Sequence, residues 1–478
     1  MMGFSIYDLF YLTPEILFVL AGVFLLFIKN QKNLAFFVAI ATVAGAMVLN
    51  IMMFNTNKNI IFDTYEVSDI GILLRLIILS GTLIFIMSTK EFAEDLEYTN
   101  LYYAFLSFAS LGMIVLPAAN DLLTIFIAFE LTSISTYSLP FIDQREENRF
   151  EAGIKYFLTG AFSTGLILFG MSYIFGMTGS LNLQEISQGI SAFQGTPALY
   201  LAFVMIVGGF SYKMALAPFH LWAPDTYTGS PSPVSGYLAG ITKKGPFAAG
   251  IKLFLLAFAS IKFEMVIFFG ILAILTMTIG NMAALMQKDV KRMLAFSSVA
   301  NAGTIFVGFA ITNLYGLTGS VIHIWGHLLM TVGAFMVIFY VEKRYGKTDF
   351  DSFAGLGKKA PLIALAMAVF MMSLGGIPPL LGFWSKIMII LGAVNAGGYY
   401  LILAVALILN SALSLAYYFK VIKYMYMKDS IGDSVKNSSS FIFTKVSIYL
   451  TSLILIITGL IPGKLIPFVI SAVENFLG

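Results

Sequence analysis

Apolar residues run together along nearly the whole chain in stretches of about 20, the length an α-helix needs to cross the hydrocarbon of a bilayer. Short polar loops separate them. A membrane barrel would instead show alternating segments of about 10 residues. The pattern predicts an all-α integral membrane protein of about fourteen transmembrane helices. Their expected spans are 13–30, 34–54, 69–89, 100–118, 121–142, 151–177, 196–218, 234–260, 262–286, 291–312, 315–343, 360–388, 395–427 and 441–470. The first run, Pro14 to Phe27, lacks a preceding basic flank and a following Ala-x-Ala-like site, so it reads as a retained span and not a cleaved signal.

Two spans are interrupted. Around the seventh the chain reads SYKMALAPFHLWAPDTYTGSPSPVSGYLAGITKKGPF, and around the twelfth LGGIPPLLGFWSK. Proline removes an amide hydrogen and clashes with the preceding turn, so each stretch should break its helix. Broken helices at membrane depth persist only where protein or water satisfies the freed backbone groups. Counting from the fourth span, a broken helix falls fourth in each of two successive sets of five, and an odd count inverts the second set relative to the first. The expected organisation is an N-terminal three-helix segment (1–98), a first five-helix repeat (99–260), a second inverted repeat (261–430) and a C-terminal helix (431–478).

Composition agrees. The chain is 59% hydrophobic and 11% charged, with a mean hydropathy of +0.89, well beyond a soluble domain. A net charge of +3 spread over loops suggests no nucleic-acid partner, and the absence of cysteine excludes disulfides and thiolate-held iron–sulfur clusters in this chain. Cations gather in loops that follow odd-numbered spans: Lys29 and Lys32; Arg145 and Arg149; Lys288, Lys291 and Arg292; Lys343, Arg344, Lys347, Lys358 and Lys359; Lys420, Lys423, Lys428, Lys436 and Lys445. The positive-inside rule makes that side the cytoplasm and sets both termini on the other side of a cell inner (plasma) membrane.

Against this background the charges inside spans stand out: Glu130, Lys155, Lys213, Lys243 and Lys386. A charge at mid-bilayer costs about 2.5–3.5 kcal/mol on the lenient insertion scale, so such residues point to ion movement. Each has a plainer reading. Glu130 and Lys213 form either a structural ion pair or a switch in which their separation decides which holds a proton. Lys155 and Lys386 lie near span ends and can snorkel. Lys243 and Lys244 project about 100° apart on a helix, so only one is expected to point along a given axis. His323 and His327 share a helical face without a third metal ligand and suit a hydrogen-bonded relay or a packed polar pair. His220, at the first break, is either a proton carrier between Lys213 and Lys243 or a structural histidine. Asp225 is expected to cap a half-helix or to bond freed backbone amides, and Arg75 has no evident partner. No nucleotide fingerprint, Walker loop or cluster ligand set is present, so no redox chemistry is expected within this chain.

Four segments, ANDLLTIFIAFELTSISTYSL, EAGIKYFLTGAFSTGLILFG, SYKMALAPFHLWAPDTYTGSPSPVSGYLAGITK and GGIPPLLGFWSK, closely resemble the antiporter-like membrane subunits of respiratory complex I, in particular the subunit N type of NADH-quinone oxidoreductase. The resemblance implies a fourteen-helix proton-translocating subunit with broken seventh and twelfth helices. By motif it makes Glu130 the fifth-helix glutamate, Lys213 its partner, Lys243 the central lysine and Lys386 the exit-side lysine, with Lys155 and His220 in support. A proton held at Lys243 is expected to pass through a polar axis that includes His323 or His327 before leaving by Lys386. Lys244 and Pro246 depart from that pattern. The resemblance also implies partners: a subunit M-type protein and the small J-, K-, A- and H-type membrane subunits, with NAD, FMN, iron–sulfur clusters and quinone in partner chains and none of them here. A multisubunit cation/proton antiporter of the Mrp type is similar and is the alternative.

Overall fold

The computed structural model describes residues 6–29, 31–143, 148–429 and 441–477; Arg145 and Lys436 of the cationic loops lie outside them. The predicted spans are present as helices in order. The first to sixth are Thr13–Phe27, Lys32–Met52, Asp69–Ser88, Thr99–Val115, Leu122–Tyr137 and Asn148–Thr178, and the seventh is Pro197–Met214 continued by Trp222–Gly229. The ninth to eleventh are Lys262–Leu285, Val290–Ile311 and Leu314–Tyr345; the twelfth is Pro361–Gly375 continued by Leu381–Ala396, and Tyr400–Met427 and Ile442–Leu460 follow. The most apolar windows of the tenth and eleventh spans are 94% buried against 33% for the first, so these two run through the centre of the bundle and the first lies on its rim.

The fourth span lies on the fifth and the ninth on the tenth, but the sixth packs mainly on the first half of the seventh whereas the eleventh packs mainly on the second half of the twelfth. Both interrupted helices also stop in the same way. Met214 is followed by Ala215 at φ 57° and a cis Ala217–Pro218 bond; Gly375 is followed by Gly376 at φ 83° and a cis Pro378–Pro379 bond. A left-handed residue after the last turn lets its own amide satisfy a terminal carbonyl.

Four expectations need correction. The eighth span is not continuous: it consists of Ser232–Gly240, a turn at 241–243, Lys244–Lys252 and a π-helical turn Leu253–Ala257. The fourteenth stops at Leu460, and Pro462 at a first-turn position starts a separate helix, Pro462–Leu477, that packs back on the third and eleventh spans. The loop after the second span holds an antiparallel hairpin, Lys58–Ile60 paired with Tyr65–Val67, too short to register as alternation. Finally, Arg75 is fully partnered. Buried at 1% exposure, it donates Nε to the Ile114 carbonyl at 2.8 Å and Nη1 to Asn50 at 3.1 Å, while Nη2 meets the Tyr65 hydroxyl and the Glu15 carboxylate. Those partners come from the first, second and fourth spans and the hairpin, which only the fold brings together.

Candidate functional site: a polar file through the bundle

The fifth span places Glu130 toward the seventh, and Lys213 sits in that helix's last turn before the break. Their charged groups are 3.9 Å apart. Lys213 also donates to Ser133 at 2.5 Å and Tyr137 at 3.4 Å, and Glu130 accepts from Thr164 at 2.6 Å. The carboxylate is thus held on the sixth span by a hydroxyl as well as by the lysine. A cavity of about 20 Å³ beside Lys213, lined by Ser133, Thr136, Tyr156 and Thr242, reaches the kink of the eighth span. That is room for one water.

The kink explains the adjacent lysines. On a regular helix one would face away, but the turn at 241–243 lets both point inward, each only 1% exposed. Lys243 donates to Ser298 at 2.9 Å, with the Tyr227 ring 5.4 Å away, and Lys244 lies 2.7 Å from His327 Nδ1. Neither reaches the outside of the bundle. The two histidine rings of the eleventh span stand 6.2 Å apart. His327 Nε2 meets Thr331 at 3.3 Å; His323 meets Ser385 at 2.8 Å and Asn301 at 3.1 Å. Asn301 continues to Tyr418 at 3.2 Å, and a second, narrow cavity of about 10 Å³ lined by Asn301, Lys386, Asn410 and Tyr417 carries the file to Lys386.

Lys386, 7% exposed, does not snorkel. The break of the twelfth helix strands the carbonyls of its first half, and Lys386 Nζ binds two of them, Leu374 at 2.9 Å and Gly375 at 3.3 Å. Unpaired carbonyls at a helix C-terminus carry the negative end of its dipole, so the backbone itself acts as the counter-charge. Two features favour glycine at 376: its φ is left-handed, and a Cβ would sit 3.0 Å from the Lys386 side chain, which would have to shift.

Three other residues lie apart from the file. Lys155 is 46% exposed and pairs with Glu151 at 2.6 Å and Asp225 at 3.5 Å. Asp225 caps no helix; it is an ion-pair acceptor for Lys155 and, at 3.0 Å, Arg292. His220 is buried beside the break, its Nδ1 has no hydrogen-bond partner among the described residues, and Lys243 is near enough to interact with it electrostatically. Lys291, at the start of the tenth span, is not exposed to the loop side: it is 4% exposed, donates to the Ser230 carbonyl at 2.6 Å and lies 4.0 Å from Glu342.

Sequence reasoning passed over Ser298, Asn301, Ser385 and Asn410, as well as a buried pair, Lys252 with Glu66 at 2.8 Å. A signal existed: amides and hydroxyls recur within otherwise apolar spans, as in SSVAN at 297–301 and NSALS at 410–414.

A protein-family signature described as "NADH:quinone oxidoreductase/Mrp antiporter, TM" matches residues 119–412, the stretch that holds the lysines, histidines and glutamate of the file. The F(420)H(2) dehydrogenase subunit N of Methanosarcina mazei is 37% identical over 456 residues, covering 91% of this chain and 92% of that protein. The NADH-quinone oxidoreductase subunit N of Trichlorobacter lovleyi is 38% identical over 436 residues, 89% of each. A chain in the solved structure of respiratory complex I from Thermus thermophilus with bound aureothin superposes with a TM-score of 0.81 at 28% identity, covering 95% of this chain and 99% of that one. On the extent of these matches, the chain belongs to the NADH:quinone oxidoreductase/Mrp antiporter family of multi-pass membrane proteins.

Proposed function

We propose that this chain is a proton-translocating membrane-arm subunit of a complex I-type NADH:quinone oxidoreductase, an assembly in which partner subunits carry NAD, FMN, iron–sulfur clusters and quinone and reduce the quinone. One observation carries the reading: the polar file from Glu130 through Lys213, Lys243, Lys244, His327 and His323 to Lys386 crosses the bundle inside otherwise apolar packing. Ionisable groups are kept at such depth mainly where ions move. A structural reading accounts for one pair but not for a succession of them.

In this mechanism Glu130 is the movable partner. A carboxylate close to an ammonium favours its charged form, and withdrawing it removes that support. Two charges about 4 Å apart at an effective dielectric near 20 interact by about 4 kcal/mol. Moving one charge across 100 mV needs about 2.3 kcal/mol, so rearranging one such pair is sufficient per proton. The proton is taken up at the face rich in cations, held at Lys243, passed along the histidines and released beyond Lys386. The cationic loops set that face in the cytoplasm and both termini outside, in the cell inner membrane. The repeat limits 99–260 and 261–430, the M-type and small J-, K-, A- and H-type neighbours, and the roles of the individual residues belong to the same proposal.

The family also includes Mrp antiporters, which gives a second reading: cation/proton exchange without electron transfer. Purification of the native complex decides between them. Cofactor-bearing and quinone-binding partners, with proton uptake that depends on quinone reduction, support the first. A complex of membrane subunits alone, exchanging sodium for protons, supports the second. Because one relative is a subunit of F(420)H(2) dehydrogenase, the electron donor is to be assayed with a reduced deazaflavin as well as with NADH.

A further inference from the structure

A second set of buried charges lies outside the file, on the face that carries the hairpin. Lys252, 2% exposed, occupies the eighth span about two helical turns past Lys244. Its Nζ is 2.8 Å from Glu66 Oε2 and has no properly directed hydrogen-bond acceptor among the described residues. A buried ammonium with one carboxylate and nothing for its remaining donors is poorly provided for as a permanent cation. A neutral amine in the same place is not.

Glu66 has two environments. Successive strand residues point to opposite sides. Tyr65 turns inward to Glu15 and Arg75, while Glu66 bridges Lys252 to a cavity of about 610 Å³ open on the hairpin face. Asp63, Asp69, Lys58 and Gln184 also line that cavity, and so does Leu256 of the π-helical turn that follows Lys252. Single π turns inside α-helices recur at functional positions. This one directly follows Lys252 and reaches the opening with Leu256.

We propose that Lys252 and Glu66 form a proton-release station, which opens the eighth span to the hairpin face independently of Lys386. The inference rests on the proton-translocating reading and adds a route to it. Lys252 passes a proton from its ammonium to the Glu66 carboxylate, leaving a neutral amine and a carboxylic acid. Glu66 then yields the proton to water in the cavity, and the amine is reloaded from the Lys244 end of the same helix. The turn between them, with Phe247, Ala248 and Ile251, is apolar and closed. Water admitted there during turnover is the gate.

The test uses the intact complex in native membrane vesicles, with quinone reduction and proton uptake followed together by a pH-sensitive dye. Arginine keeps the positive charge and the ion pair but holds its proton at any working pH. Lys252→Arg should therefore assemble normally, reduce quinone and lower protons per electron by at least a quarter, and Glu66→Gln should do the same. If Lys252→Arg pumps at the wild-type ratio, the pair is only structural and the proposal is overturned. Lys252→Met, with assembly read on a native gel, reports the structural part separately. Wild-type vesicles that pump nothing would overturn the parent reading instead.

Discussion

The two broken helices hold their key lysine by different means. In the first, Lys213 sits before the break and faces a carboxylate, Glu130, on another helix. In the second, Lys386 sits after the break and faces the stranded carbonyls of its own interrupted helix. A carboxylate can swing, accept a proton or be replaced by a neighbour's. Carbonyls at a helix end cannot. The first site is thus suited to switching and the second to holding or releasing a proton according to hydration alone. The burial of an ammonium is thus solved twice in one chain, once with a movable charge and once with fixed dipoles.

This contrast orders the expected effects. Lys386→Met removes the ammonium that the stranded carbonyls hold, and proton pumping in reconstituted complex should fall by more than tenfold. Glu130→Gln keeps shape and hydrogen bonding but deletes the switching charge; protons per electron should drop severalfold, and Glu130→Asp should recover part of it. If Glu130→Gln pumps normally while Lys386→Met does not, the first site is no switch.

Gly376→Ala sharpens the second half of the comparison. The left-handed φ and the nearby Lys386 side chain should together cost about 1–3 kcal/mol, seen as a lower thermal midpoint of the purified complex. Ala215→Gly at the matching position of the first break should not destabilise, because glycine adopts φ 57° without strain. Lys155→Ala should have the smallest effect. It breaks exposed pairs with Glu151 and Asp225, worth about 0–1 kcal/mol, and pumping should stay within twofold of wild type.

Much of this contrast was legible in the chain. Runs of apolar residues give the spans, Pro218 and Pro379 mark the breaks, and Glu130, Lys213, Lys243 and Lys386 are conspicuous as charges in lipid-length segments. What stayed hidden depends on contacts between distant segments. Nothing local says that Arg75 will meet Glu15 and Tyr65, that Asp225 will turn to Arg292, or that Lys252 will find Glu66 on a hairpin strand. The kink that turns Lys243 and Lys244 both inward is hidden for another reason. Pro246 lies just past it, and the position of a proline fixes where a helix fails only to within a turn.

The central claim is that the charged groups of the file move protons and do not merely hold helices together. Protons translocated per electron in vesicles bearing the assembled complex with Lys213→Ala test it most directly, with quinone reduction measured in the same sample. A ratio well below wild type in a complex that still assembles is the predicted result. An unchanged ratio would contradict it, leaving Glu130 and Lys213 as a structural ion pair.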